Sequence, residues 1–172
     1  MFTLICLAAI GALALNMHLP SLPAMAETFN VSYSTTTLSI TLFLAMNAVF
    51  QIFVGPLSDR YGRRPVVLVS LSIFCLSSVG CILAINFEFF LFCRVLQAVV
   101  VAGLVVSRAA VRDSYSQDQA ASVLGYIAMG FSVLHLVGPA FGGILEVKFG
   151  WIASFWVLLG VGVLIFLLTY FD

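Results

Sequence analysis

Charge is what this sequence lacks. Only 8% of its 172 residues are charged, seven of each sign, against roughly 25% in ordinary soluble domains. A surface so poor in ionised groups is not kept in water, which excludes a soluble globular domain. The formal net charge is zero and no run of like charge occurs, so neither nucleic acid nor an acidic protein is an indicated partner. The four cysteines, Cys6, Cys75, Cys81 and Cys93, all lie inside apolar runs. Their spacing matches neither a metal site nor a disulfide framework. Ser/His/Asp, Cys/His and phosphate-loop spacings are missing too, so no enzyme chemistry, metal or cofactor is expected. The first apolar run has no basic segment ahead of it and no convincing small-residue cleavage site, which argues against a secretory leader.

What the chain has instead is hydrocarbon: 63% of residues are hydrophobic and the mean hydropathy is +1.19. At roughly 20 apolar residues per crossing plus a short connection, this length holds about six membrane spans. They are expected near residues 2–18, 37–57, 66–85, 89–107, 122–145 and 151–170. The runs are continuous rather than alternating, so they read as helices and not as barrel strands. The fold class is therefore an all-α membrane protein with the bilayer as its first partner. A polar connection carrying Pro20, Pro23, Glu27 and Asn30 follows the first span, and Ser32, Ser34 and Thr35 offer capping hydroxyls after it. Residues 86–88 form a tight turn, and residues 108–119 are the clearest loop. Arg60, Arg63 and Arg64 follow the second span and Arg108 and Arg112 close the fourth, whereas Lys148 stands alone on the opposite side. This asymmetry predicts a multi-pass protein of the plasma (inner) membrane with both chain ends in the cytoplasm.

The densest pattern is Gly55-Pro56-Leu57-Ser58-Asp59-Arg60-Tyr61-Gly62-Arg63-Arg64-Pro65. Two glycines and a proline around a short basic turn let two helices meet closely, and the carboxylate of Asp59 lies among three guanidiniums that can pair with it. A mere positive anchor accounts for the arginines, but not for the acid and the glycines at these spacings. The pattern resembles the loop signature "GxLaDrxGrr" between helices two and three of the major facilitator superfamily. Arg94-Val95-Leu96-Gln97-Ala98 in the fourth span resembles the superfamily's "RxxqG" element, with Ala98 where glycine is usual. Gly125, Gly138, Pro139, Gly142 and Gly143 in the fifth span resemble the drug–proton antiporter signature, with Leu134 replacing one glycine. Residues 15–23, Leu-Asn-Met-His-Leu-Pro-Ser-Leu-Pro, are similar to the first-helix motif of the bicyclomycin/chloramphenicol-resistance (Bcr/CflA) family, as is Ser107-Arg108-Ala109-Ala110-Val111-Arg112-Asp113.

The resemblance implies two three-helix units in inverted repeat, forming the N-terminal half of a twelve-span transporter. It further implies proton-coupled efflux of small amphiphilic compounds. A second six-helix half would come from a continuation of the same gene, a separate chain or a homodimer. Asp59, Arg60, Arg63, Arg64 and Asp113, with Gly55 and Gly62, would form a cytoplasmic gate.

Candidate pathway residues are the polar groups within spans. Asn47 and Gln51 lie one turn apart, and Asn16 stands where many relatives carry Asp. Arg94 either reaches the membrane surface or faces inward, and Gln97 one turn on favours the inward face. Pro139 removes a helix hydrogen bond and predicts a kink, while Gly138 and Gly142 offer a small-residue contact surface. No Asp or Glu lies deep in a predicted span, which leaves His135 as the sole deep titratable candidate apart from Arg94, which stays charged. Each polar group also has a purely structural reading as an interhelical hydrogen bond. The alternative for the whole chain is a truncated, non-transporting remnant or a small helical membrane subunit.

Overall fold

The computed structural model describes residues 2–171. Among them, six helical segments are long and apolar enough to cross a membrane: Phe2–Phe29, Tyr33–Tyr61, Arg63–Ile82, Phe87–Ser114, Gln117–Phe149 and Ile152–Phe171. The described residues contain no strand. Two of the spans are broken. The first consists of α1 (Phe2–Asn16), a 3-10 turn (Leu19–Ser21) and α2 (Leu22–Phe29). The fourth consists of α5 (Phe87–Gln97), a 3-10 turn (Ala98–Val100) and α6 (Val101–Ser114). The remaining four, α3 (Tyr33–Tyr61), α4 (Arg63–Ile82), α7 (Gln117–Phe149) and α8 (Ile152–Phe171), run unbroken.

Several helices run past the ends of their apolar runs, because helicity and lipid solubility are separate properties. The expected polar connection after His18 is helical as far as Phe29. Pro20 and Pro23 stand in the first turns of the 3-10 turn and of α2, where a missing N–H costs nothing. Left-handed Asn30 (φ 51°) ends the segment, and Ser32 caps α3 by accepting from the Thr35 N–H at 3.1 Å. The expected loop at 108–119 likewise shrinks to Tyr115 and Ser116, because Ala, Val and Arg carry α6 to Ser114 and α7 begins at Gln117. Asn86 in the predicted tight turn caps α5, accepting from the Phe89 N–H at 2.8 Å.

The helix contacts reveal a repeat. α1 packs on α6, α7 and α8; α4 packs on α8, α5 and α3; α3 also meets α5 and α6, and α7 meets α8. Exchanging each span with the one three later maps this set of neighbours onto itself. The first–fifth contact becomes fourth–second, third–fourth becomes sixth–first, and the first–fourth and third–sixth contacts map onto themselves. A unit of three crossings is odd, so its second copy runs through the membrane in the opposite sense.

In lipid, packing rather than water expulsion joins helices, and small residues let backbones approach. A Cβ at Gly142 would collide with the Met17 carbonyl, and one at Gly103 with the Leu7 carbonyl. Fully buried Ala8, Ala12 and Ala14 line the first span. At one end, Phe29, Phe87, Phe90, Trp151 and Phe155 form an aromatic cluster, with Phe29 and Phe90 centroids 5.4 Å apart and Phe90 and Phe155 5.6 Å apart. Trp151 Nε1 donates to Thr28 Oγ1 at 3.1 Å, tying α2 to the start of the sixth span.

Candidate functional site

Arg94 lies eight residues into α5 and is wholly buried, at 0% exposure. The inward alternative is therefore the one observed. A cation at the centre of a span costs about 2.5–3.5 kcal/mol even on lenient insertion scales, so its surroundings must supply compensation. Arg94 Nη1 donates to Gln97 Oε1 at 2.6 Å, and Nη2 donates to the Ala14 carbonyl at 3.2 Å. Nη2 also lies 3.3 Å from His18 Nε2. A guanidinium has only donors, so the imidazole nitrogen facing it serves as acceptor. Gln97 Nε2 passes the network on to Ser78 Oγ on α4 at 2.7 Å. The rings of Phe43 and Phe155 flank the guanidinium carbon, with centroids at 4.5 Å and 5.9 Å. Arg94 Nε has no partner among the described residues.

Hydrogen bonds in this centre join the first, third and fourth spans, and Phe43 and Phe155 add the second and sixth, at the depth where the first and fourth both break. His18 immediately precedes the Leu19–Ser21 turn, and Gln97 immediately precedes Ala98–Val100. His18 was not foreseen as a deep group, since His135 was expected to be the sole one besides Arg94. In fact His18 is fully buried. The signal was present in residues 19–25, whose helix-compatible prolines let the span continue past the histidine.

Asn47, Gln51 and His135 form a second, separate group. They line a cavity of about 230 Å³ between α1, α3, α6 and α7, together with Phe43 and Phe131. Gln51 Nε2 donates to Asn47 Oδ1 at 3.2 Å. His135 Nδ1 donates to the Phe131 carbonyl one turn back at 3.1 Å. Phe43 is thus both a wall of this cavity and the cover of Arg94. A wider groove of about 550 Å³ between α3 and α4, including Phe53, Leu57, Val69 and Ile73, holds no charged side chain.

Asn16 belongs to neither group. Its Nδ2 donates to the Ala12 carbonyl at 2.8 Å, and a Cβ on Gly138 would sit 3.2 Å from the Asn16 Cβ. The fifth-span glycines account for that neighbour: Gly138, Gly142 and Gly143 lay α7 against Asn16, Met17 and Pro20. α7 stays helical through Pro139. Gly125 and Gly55 have nothing within 4 Å of an added Cβ, so neither serves a close contact within this chain.

In the 55–65 loop, Gly62 links α3 to α4 with φ 89°, a conformation that L side chains rarely adopt. The expected pairing of Asp59 with the arginines is not what the structure holds. Asp59 sits exposed on the last turn of α3, while the chain reverses at Gly62 and aims the next two arginines elsewhere. Arg63 forms an ion pair with Asp113 at the end of α6. Arg64 donates to the Tyr170 carbonyl on α8, and Arg60 lies 5.4 Å from the centroid of the Tyr61 ring. Among the described residues, Asp59 has no ion-pair partner.

Known proteins bear on this arrangement. The sequence profile of the Major Facilitator Superfamily matches residues 4–172. A chloramphenicol resistance protein of Pseudomonas aeruginosa is 35% identical over 157 residues, covering 90% of this chain and 37% of that protein. An uncharacterized MFS-type transporter, YdgK, of Bacillus subtilis is 38% identical over 170 residues, covering 97% of this chain and 42% of its own length. Multidrug resistance protein D of Escherichia coli is 32% identical over 157 residues, 91% of this chain and 40% of that protein. The chain thus spans about two fifths of the length of the curated relatives it matches. The crystal structure of a bacterial homolog of the human lysosomal transporter Spinster, inward-facing and unoccupied, superposes with a TM-score of 0.79 at 21% identity, covering 99% of this chain and 42% of that one. A profile match over nearly every residue, on a six-span fold shared with a solved transporter, makes this chain a member of the major facilitator superfamily, whose members are transporters and not enzymes.

Proposed function

We propose that residues 1–172 are the N-terminal transmembrane domain of an efflux transporter that exchanges protons for small amphiphilic compounds. The carrying observation is the buried Arg94–His18–Gln97–Ser78 network, which joins the first, third and fourth spans at the level of both helix breaks. A membrane protein places a cation there at a cost, and polar groups within spans mark substrate and ion pathways. Asn47, Gln51 and His135 form the adjoining cavity wall. The relatives' names, chloramphenicol resistance and multidrug resistance, support a drug as substrate.

A second six-helix set completes the pathway in this reading. It docks on the α3 and α7 faces, where Ile52, Phe53, Leu136 and Val147 stand outward. The Arg63–Asp113 pair and the Arg64–Tyr170 contact form the cytoplasmic gate. Both chain ends then lie in the cytoplasm, and reporter fusions at residues 62 and 116 give cytoplasmic signals; extracytoplasmic signals at both positions would reverse the topology.

The test of function is proton-driven chloramphenicol efflux in everted vesicles carrying the chain and a second six-span segment. Chloramphenicol should dissipate an imposed pH gradient, and Arg94→Ala should abolish the effect. Normal efflux by a variant with both Arg94→Ala and His135→Phe would remove the pathway assignment.

A further inference from the structure

The buried guanidinium of Arg94 has no counter-anion among the described residues. Among the described residues the ion pair is that between Arg63 and Asp113, at the far end of α4. Among the described residues, the groups that hydrogen-bond to Arg94 or stack on it are neutral: Gln97, the Ala14 carbonyl, the acceptor nitrogen of His18, and the faces of Phe43 and Phe155. Of its five N–H donors, the one on Nε has no partner among the described residues. Neutral acceptors hold such a charge in place, but only an anion cancels it, and the low local dielectric makes that cancellation strong.

One ring links this cation to the cavity beside it. Phe43 is 1% exposed, lies 4.5 Å from the guanidinium, and is also a wall of the 230 Å³ cavity beyond. Rotation of that ring about its side-chain bonds is the movement that would open the guanidinium to the cavity. The cavity is smaller than the roughly 300–1,000 Å³ typical of ligand sites, which suits a molecule of one ring. A flat ring replacing Phe43 would keep the cation–π contact that Phe43 now makes.

We propose that Arg94 is an anion-binding residue covered by Phe43, and that it takes the carboxylate of a small aromatic acid. The inference rests on the transport reading only for the route by which the acid arrives. Two sources can supply the same chemistry: a small acid, or an acidic side chain of another polypeptide segment packed on the α3–α7 face. The small acid is the occupant proposed.

The test uses the purified chain in lipid nanodiscs, with benzoate as probe and benzamide as its uncharged counterpart. Benzoate should raise the melting temperature saturably and benzamide should not. Phe43→Ala should bind benzoate about tenfold more tightly, because the cover is gone. Arg94→Met should lose the response. Should that variant fail to fold, Gln97→Glu carries the test, since it places a carboxylate against the guanidinium from within. Gln97→Glu should melt no lower than the unaltered chain and ignore benzoate. Equal responses to benzoate and benzamide, or undiminished benzoate binding by Gln97→Glu, would overturn the proposal. A stabilised Gln97→Glu variant in a chain that never responds to benzoate would assign the anion to a polypeptide carboxylate, which also overturns it. No gradient is involved, so the two readings fail separately. A chain that binds benzoate but moves no drug defeats the transport reading alone, and one that extrudes chloramphenicol but ignores benzoate defeats this one alone.

Discussion

The first and fourth spans differ from the second and fifth in nearly every respect that one sequence can vary. The first and fourth are broken at a 3-10 turn, are buried over much of their circumference, and carry His18, Arg94 and Gln97 to a common centre. The second and fifth, α3 and α7, run as single helices of 29 and 33 residues. They bury only narrow stripes, Thr36, Ser39, Phe43, Val54 and Ser58 on one and Ala120, Val123, Ile127, Gly138 and Gly142 on the other. Because the two three-helix units repeat, this is one contrast made twice. A broken helix frees backbone groups, which lipid cannot satisfy, so breaks occur only where protein surrounds them. A helix with one buried stripe has no such shelter and must stay continuous. Burial and irregularity therefore go together, and so do exposure and regularity.

The contrast can be broken inside α7, which carries both kinds of surface. Gly142→Leu forces a side chain into the Met17 carbonyl and should cost about 3 kcal/mol or more, read as loss of folded, monodisperse protein in detergent. Gly125→Leu on the same helix meets open space and should melt with the unaltered chain. Next in size, Gln97→Ala removes the closest partner of the buried guanidinium. It should lower stability by about 1.5–3 kcal/mol, measured as a drop in thermal midpoint. At the exposed rim, a double-mutant cycle on Arg63→Ala and Asp113→Ala should return a coupling of only about 0.2–1 kcal/mol. That coupling should fade at high salt, where the screening length falls to about 3 Å. Smallest of all, Gln51→Ala breaks a hydrogen bond within α3 and should change stability by about 0.6 kcal/mol or less. A Gln51 effect as large as that of Gln97 would erase the distinction between the two pairs of spans.

The same contrast decides what was legible in the sequence. Six apolar runs and the 55–65 motif stand out because charge is rare everywhere else, so the few arginines mark the loops. Arg94 and Gln97 share one helix turn, and their pairing could be anticipated from spacing alone. His18 could not be joined to Arg94 in that way, since 76 positions separate them and only the packing of α1 against its neighbours brings them together. The span ends were misread because hydropathy registers where lipid is preferred. Residues such as Ala24, Glu27 and Arg112 are sound helix formers whether or not lipid surrounds them. Asp59 was matched with the nearest arginines in sequence, yet the reversal at Gly62 sends Arg63 and Arg64 to α6 and α8. Proximity along the chain is a poor guide where the backbone turns through a positive φ.

The two glycine contacts on the first span have a mechanical consequence. Gly103 holds the rod at Leu7 and Gly142 holds it at Met17, ten residues or about 15 Å apart at 1.5 Å per residue. A helix seated at two such points neither tilts nor slides unless both seats move with it. His18 lies one residue past the second seat. Its ring can part from Arg94 by rotation of its own side chain, and otherwise travels wherever α6 and α7 travel.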